Sequence, residues 1–511
     1  MAESAKKSQR VELPEEIREK EQSILNQLSA IENQWDDAYK RGEDVLRRLK
    51  ERKDGLNAEL NNLITELRQK YPRYAALNYP KPIPPEELPL KDNEVLLEYA
   101  IGDDAGYLFV VRKGGVRRLI KIPVTKETLE EKVKAFIEPM NTKQIERFSV
   151  KEAKGLYELL LAEAMKEITP SPQSPPIKGG EVASSHGKGN FLDKKIIIVP
   201  DGILGLLPFE SLVIKEGKDY KDSLYVGDRY QISYYQSATV LALQRNLKER
   251  KTERPLFALG NPIYTKEDPR YIAWKESVRQ AHDEKPLKVA NLDKYSFRDL
   301  AIEAKWGKTT EDDTIGKKIE FRPLPETEIE VKEIAKKMDV LPEPPDVLLS
   351  VAANETELKK TGLERYKYIH FATHASLPGM IQGINEPFIL LGQVENENKD
   401  DGFLTLSEVL DLRLNADMVV LSACVTGVGK EVEGEGVANF ARAFQHAGAK
   451  SIVVSLWAVA SDPAVEYMEK FYGYLKAGKD RGEAMRLARN EIKAKYPNPF
   501  YWAVFILHGE G

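Results

Sequence analysis

Leu421-Ser422-Ala423-Cys424-Val425-Thr426-Gly427 holds the only cysteine in a chain of 511 residues. The residues before it, Asp417-Met418-Val419-Val420-Leu421, form a short apolar run that ends on small and turn-forming residues. That pattern predicts a buried strand. Cys424 is therefore expected where a strand stops and a Gly-bearing loop begins. In open α/β sheets, ligands and chemistry gather at that carboxyl edge. Upstream, Tyr366-Lys367-Tyr368-Ile369-His370-Phe371-Ala372-Thr373 is β-branched and aromatic, and it runs into His374-Ala375-Ser376. If the two strands are parallel neighbours, Cys424 and His374 leave the sheet at one edge. A thiol beside an imidazole is the minimal constellation for a cysteine nucleophile.

The plainer reading of Cys424 is a small buried hydrophobe at a strand end. Its position at the carboxyl end, the small Ala423 and Gly427, and the matching place of His374 argue against it. The Gly-rich stretch 427–436 that follows has the composition of a specificity or activation loop. His370 falls on the same face of an ideal strand as His374, and its plainer reading is a packed core histidine. Gly429-Lys430 resembles the end of a phosphate loop. The glycine that motif needs is Cys424, however, and its Ser/Thr is Glu431. The arginine that a phosphatase loop needs after its cysteine is Lys430. Phosphate chemistry is disfavoured.

At 511 residues the chain is expected to hold two or three domains. A hydrophobic content of 42% and a charged content of 31% fit a globular protein. The net charge of −5 gives no reason to expect nucleic acid or an anionic membrane as a partner. A single cysteine excludes an intrachain disulfide. With no signal-like start at Met1–Leu28, a cytoplasmic location is expected. No run approaches the roughly 18 apolar residues of a membrane span. One Cys and six scattered His give no zinc-like cluster, so no metal and no cofactor are expected.

Apolar residues recur at helical spacing from Ile17 to Trp35 and from Leu49 to Leu67, which predicts a long helix or a helical hairpin over 14–70. No tetratricopeptide period of about 34 residues is present. Period-two patterning from 94 to 122, broken by Gly102-Asp103-Asp104 and Gly114-Gly115, predicts an antiparallel meander. The segment 169–189 is rich in Pro, Gly and Ser and reads as an exposed linker open to proteolytic nicking. Residues 262–318 are charged and aperiodic, as an insertion would be. Strands at 195–199, 255–260, 347–349, 366–373, 417–421 and 451–457 alternate with helical segments. That spacing predicts βαβ units and a mostly parallel sheet.

The chain resembles the CHAT family, caspase-like cysteine peptidases often fused to tetratricopeptide repeats and more distantly related to separase. The matching strings are Ile369-His370-Phe371-Ala372-Thr373-His374, Leu421-Ser422-Ala423-Cys424-Val425-Thr426-Gly427, Gly434-Glu435-Gly436, Ala441-Arg442-Ala443-Phe444, Ala447-Gly448-Ala449, Ser455-Leu456-Trp457 and Tyr501-Trp502-Ala503. Val199-Pro200-Asp201-Gly202 and Leu207-Pro208-Phe209-Glu210 match less specifically. The resemblance implies an α/β fold: a caspase-like, mostly parallel sheet flanked by helices. It divides the chain into an N-terminal helical segment at 1–72, a degenerate caspase-like half at 73–318 and a catalytic half at 319–511. It makes Cys424 the nucleophile and His374 the general acid/base, which agrees with the reading of the residues themselves; that reading also offers the backbone N–H groups of Ala375 and Cys424 as oxyanion donors. The family usually has Gly where Ala375 stands, and the N–H survives that change. Adjacent acidic residues often follow the Ser-Leu-Trp string; here only Asp462 does, and it is the candidate pocket residue, with a helix N-cap as its plainer role. The expected function is a caspase-like cysteine endopeptidase acting on a protein or peptide substrate and switched on by a partner, sensor or ligand. A bacterial defence or death pathway is the implied setting. A catalytically silent CHAT-fold scaffold is the alternative, and acyl transfer to a small molecule is the third reading.

Overall fold

The computed structural model describes residues 14–33, 43–71, 75, 79, 81–168, 195–246, 251–282, 321–376, 384, 386–397, 399–422, 424–426, 435–458 and 461–511. The linker at 169–189, most of the Gly-rich stretch after Cys424 and most of the charged stretch at 262–318 lie outside them. The chain divides into two compact units, Met1–Pro84 and Pro85–Gly511.

The first unit is a helical hairpin. Its helices, Glu15–Asn33 and Glu43–Lys70, are rich in Leu, Glu, Lys and Arg, residues that lose little rotamer freedom in a helix. Ile24 and Ile31 of the first pack with Leu56, Leu63 and Leu67 of the second. The spacing of the last three puts them on one face, as the sequence pattern required. Glu21 is buried and accepts a hydrogen bond from the Tyr79 hydroxyl. Among the described residues no helix is long and apolar enough to cross a membrane.

The second unit is built on strands. In chain order they are β1 (Glu94–Ile101), β2 (Gly106–Arg112), β3 (Gly115–Ile122), β4 (Lys195–Val199), β5 (Val213–Lys215), β6 (Leu224–Tyr225), β7 (Gln231–Tyr234), β8 (Arg254–Pro262), β9 (Val347–Ser350), β10 (Tyr366–Ala372), β11 (His374–Ser376), β12 (Phe388–Leu390), β13 (Phe403–Thr405), β14 (Met418–Leu421), β15 (Cys424–Thr426), β16 (Ser451–Ser455) and β17 (Phe505–Gly509). Eleven of them form one sheet in the order β3-β2-β1-β4-β7-β17-β16-β14-β10-β8-β9. Only β1–β2, β2–β3 and β16–β17 pair antiparallel; the other pairings are parallel. The fold is α/β, a mostly parallel sheet flanked by helices. β14 and β16 are buried along their whole length. A parallel strand covered on both faces is apolar throughout, not alternating, and that is how both strands read. The meander predicted at 94–122 is β1–β3. Gly114 and Gly115, at φ +86° and +120°, make the tight turn from β2 to β3, a conformation other residues adopt at a steric cost.

β8 precedes the long charged stretch yet pairs with β10 and β9, whose residues follow it. The helix Pro325–Lys337 packs on β8 through Gly260. A Cβ added at Gly260 would lie 2.8 Å from both the Thr327 carbonyl oxygen and Val331 Cγ2. Gly260→Ala is therefore expected to force the helix off the strand and to cost about 1–3 kcal/mol, as overpacking does. A urea midpoint equal to that of the unaltered chain would count against this.

His508, on β17 in the middle of the sheet, is buried with its ring 5.6 Å from that of Tyr234. Neither ring nitrogen has a hydrogen-bond partner among the described residues. Burial pushes its pKa down to about 4 from the ordinary 6.5. The unfolded chain then takes up a proton that the folded chain refuses. Stability is fully present above pH 6.5 and falls as pH drops toward 4, by about 3 kcal/mol. Urea unfolding of His508→Gln between those pH values should show a flatter pH dependence than the unaltered chain. Parallel slopes would refute the assignment.

Candidate active site

β10 and β14 are adjacent and parallel, with His370 opposite Val420 and Phe371 opposite Leu421. Past its last residue, the β14 chain stays attached: the Ser422 N–H donates to the Phe371 carbonyl at 2.9 Å. Both chains then enter a second, four-stranded sheet of order β13-β12-β11-β15. There β11 and β15 run parallel, and His374 is the register partner of Cys424. Partners on neighbouring strands have backbones about 4.8 Å apart. Ala375, the candidate oxyanion residue, is buried between Ile389 of β12 and Val425 of β15.

The β12–β13 hairpin that backs β11 is fastened to the helix Glu355–Lys360. Glu355 is fully buried, and its Oε2 accepts from the N–H groups of Asp401 and Gly402 at 2.9 and 2.8 Å. Lys359 Nζ reaches Asp400 and Glu408 at 2.9 Å each.

His374 is partly buried. Its Nε2 lies 2.8 Å from the backbone oxygen of Arg322. A carbonyl only accepts, so Nε2 carries the proton, and in the neutral ring Nδ1 is left as the acceptor. Burial holds the imidazole below its ordinary pKa; the Arg322 carbonyl and the nearby Glu326 pull the other way. At neutral pH the ring is uncharged, the form able to take a proton from a thiol. Its centroid lies 5.5 Å from that of Tyr264 and 6.1 Å from that of Phe321. Tyr264 and Phe321 are themselves 6.1 Å apart, so the three rings form one cluster.

His370 is fully buried on β10. Its Nε2 lies 3.0 Å from Glu330 and its Nδ1 3.3 Å from the Tyr472 hydroxyl. It serves the core beneath the edge. Asp462 is exposed in the first turn of the helix Ser461–Lys476, which follows β16. The helix starts one residue before it, so Asp462 falls inside the turn and not at the N-cap. Sequence reasoning missed Tyr264, Phe321 and Arg322. Tyr264 lies just beyond the carboxyl end of β8, the edge already identified for Cys424 and His374, and that was the available signal.

Residues 150–510 match the model of the CHAT domain. The chain belongs to the CHAT-domain family. Human tetratricopeptide repeat protein 28 is 26% identical over 394 residues, 71% of this chain and 13% of that protein. The mouse protein of the same name is 37% identical over 110 residues, 21% of this chain and 4% of that protein. The chain thus spans a small part of either relative. Among solved structures, the Saccharomyces cerevisiae separase–securin complex is similar at a TM-score of 0.43 with 12% identity, over 87% of this chain and 31% of that one. The Arg-specific cysteine proteinase gingipain R is similar at a TM-score of 0.33 with 9% identity, over 84% of this chain and 79% of that one.

Proposed function

We propose that the chain is a caspase-like cysteine endopeptidase with Cys424 as nucleophile and His374 as general acid/base. The observation that carries this reading is the register of β11 on β15, which sets the two residues opposite each other just past the carboxyl edge of the main sheet. In the proposed reaction His374 Nδ1 takes the thiol proton as Cys424 sulfur bonds to a peptide carbonyl carbon. The carbonyl oxygen gains the negative charge, and the N–H groups of Cys424 and Ala375 stabilise it. As the C–N bond breaks, the imidazolium returns its proton to the leaving amine. Water then cleaves the thioester, with the imidazole again acting as base. The Arg322 carbonyl does the work of a third catalytic group by fixing the tautomer. Asp462 is proposed as a pocket residue, and a protein partner or ligand as the activating signal.

A positional-scanning peptide library, incubated with and without candidate partner proteins, tests this reading. Cleavage at defined positions supports it. The second test is labelling of Cys424 by a thiol-reactive peptide warhead in the unaltered chain and in His374→Ala. Equal, slow labelling of both would leave a silent scaffold as the function.

A further inference from the structure

We infer that Tyr264 is a positioning residue for His374, acting through a hydroxyl chain it shares with Thr373 and the Leu390 carbonyl. The inference rests on the reading of His374 as the acid/base. Thr373 is the one residue between β10 and β11, where the backbone leaves the large sheet and enters the small one. Its hydroxyl lies 2.6 Å from the carbonyl oxygen of Leu390 on β12 and donates to it. With that hydrogen used, the contact at 2.9 Å between Thr373 Oγ1 and the Tyr264 hydroxyl must run the other way, with Tyr264 donating.

The chain Tyr264 to Thr373 to Leu390 therefore has one direction and is buried throughout. It ties the segment after β8, the turn before His374 and the β12 strand together at the residue next to the imidazole. A phenylalanine at 264 would fill the same volume, so packing alone does not account for the hydroxyl. A buried hydroxyl is retained at a desolvation cost and needs a partner. The same residue lays its ring against His374. Two constraints then meet on the imidazole: the Arg322 carbonyl holds Nε2, and the Tyr264 ring holds the plane. Together they aim Nδ1. Free rotation at either would lose the aim without unfolding the domain.

The test uses the full chain and iodoacetamide, since Cys424 is the only cysteine and intact mass reads its alkylation alone. The variants are Tyr264→Phe, Thr373→Val, Thr373→Ser, the Tyr264→Phe/Thr373→Val pair and His374→Ala. Nitrogen-15 shifts of the His374 ring report its tautomer. Tyr264→Phe and Thr373→Val should each slow alkylation near neutral pH about five- to tenfold, the size of one lost buried hydrogen bond. Each should also loosen the ring from the Arg322 carbonyl that fixes its proton, so that a single Nε2–H tautomer becomes a mixture. The pair should be no slower than either alone, because both break one chain. Thr373→Ser should restore the rate. A wild-type tautomer and pH profile in Tyr264→Phe, with His374→Ala slow, would overturn the inference and leave the dyad standing. His374→Ala labelling as fast as the unaltered chain would overturn the dyad itself. Should Tyr264→Phe melt below the assay temperature, the contrast between Thr373→Ser and Thr373→Val decides the question.

Discussion

Replacing Cys424 with alanine is expected to abolish peptide cleavage, with a fall on the order of 10⁴- to 10⁶-fold in kcat, the range seen when a nucleophile is removed from a catalytic unit. The backbone of β15 should tolerate the change. Its pairing with β11 is a main-chain ladder, and alanine keeps the Cβ. Thermal unfolding should stay close to that of the unaltered chain while cleavage vanishes. Fragments appearing at an unchanged rate would mean that another group does the chemistry, or that a contaminant does. With one cysteine in the sequence, no second thiol can substitute.

The next largest effect is expected at His374. His374→Ala should lower kcat about 10³-fold or more near neutral pH, because it removes both the thiol's base and the amine's acid. Combined with Cys424→Ala it should add nothing, since the two act as a unit. The pH dependence has a stated sign. Burial holds the imidazole pKa below its usual value, so the neutral base persists to lower pH than for a free histidine. The acid limb of kcat/KM should therefore fall below pH 6.5 and not at it. A variant with full activity, or an acid limb well above that pH, would contradict the assignment of His374 as the base.

The edge carrying these residues was legible because a chain ending a buried strand on a small or turn-forming residue leaves a plain mark. Met418–Leu421 and Tyr366–Ala372 are strands within a residue or so of where the apolar runs placed them. The meander was equally plain, since it rests on one strong period; over 14–70 the helical period was plain too, but it left a long helix and a hairpin both open. The aromatic cluster on the imidazole was not legible. Tyr264 falls at the start of the charged stretch, just before the helix Pro269–His282, and Phe321 follows its end; nothing local shows that β8 pairs beside β10. That neighbourhood depends on long-range pairing, which periodicity does not encode. The same holds for β11 and β12, three residues each and too short to show any period. The carbonyl of Arg322 is a backbone group, and a sequence carries no sign of which backbone group will face an imidazole.

The place of β17 in the sheet has a consequence for assembly. This strand joins β7 on one side to β16 on the other, although its residues, Phe505–Gly509, come after all the strands it unites. On a ribosome, everything from β1 to β16 emerges while the two groups of strands still lack a common ladder. The strands that lead into Cys424 and His374 both belong to one group and can pair before β17 exists; what closes late is the ladder between the two groups, by a zipper of a few residues. Nascent chains halted before residue 505 should bind hydrophobic dyes that the finished sheet excludes.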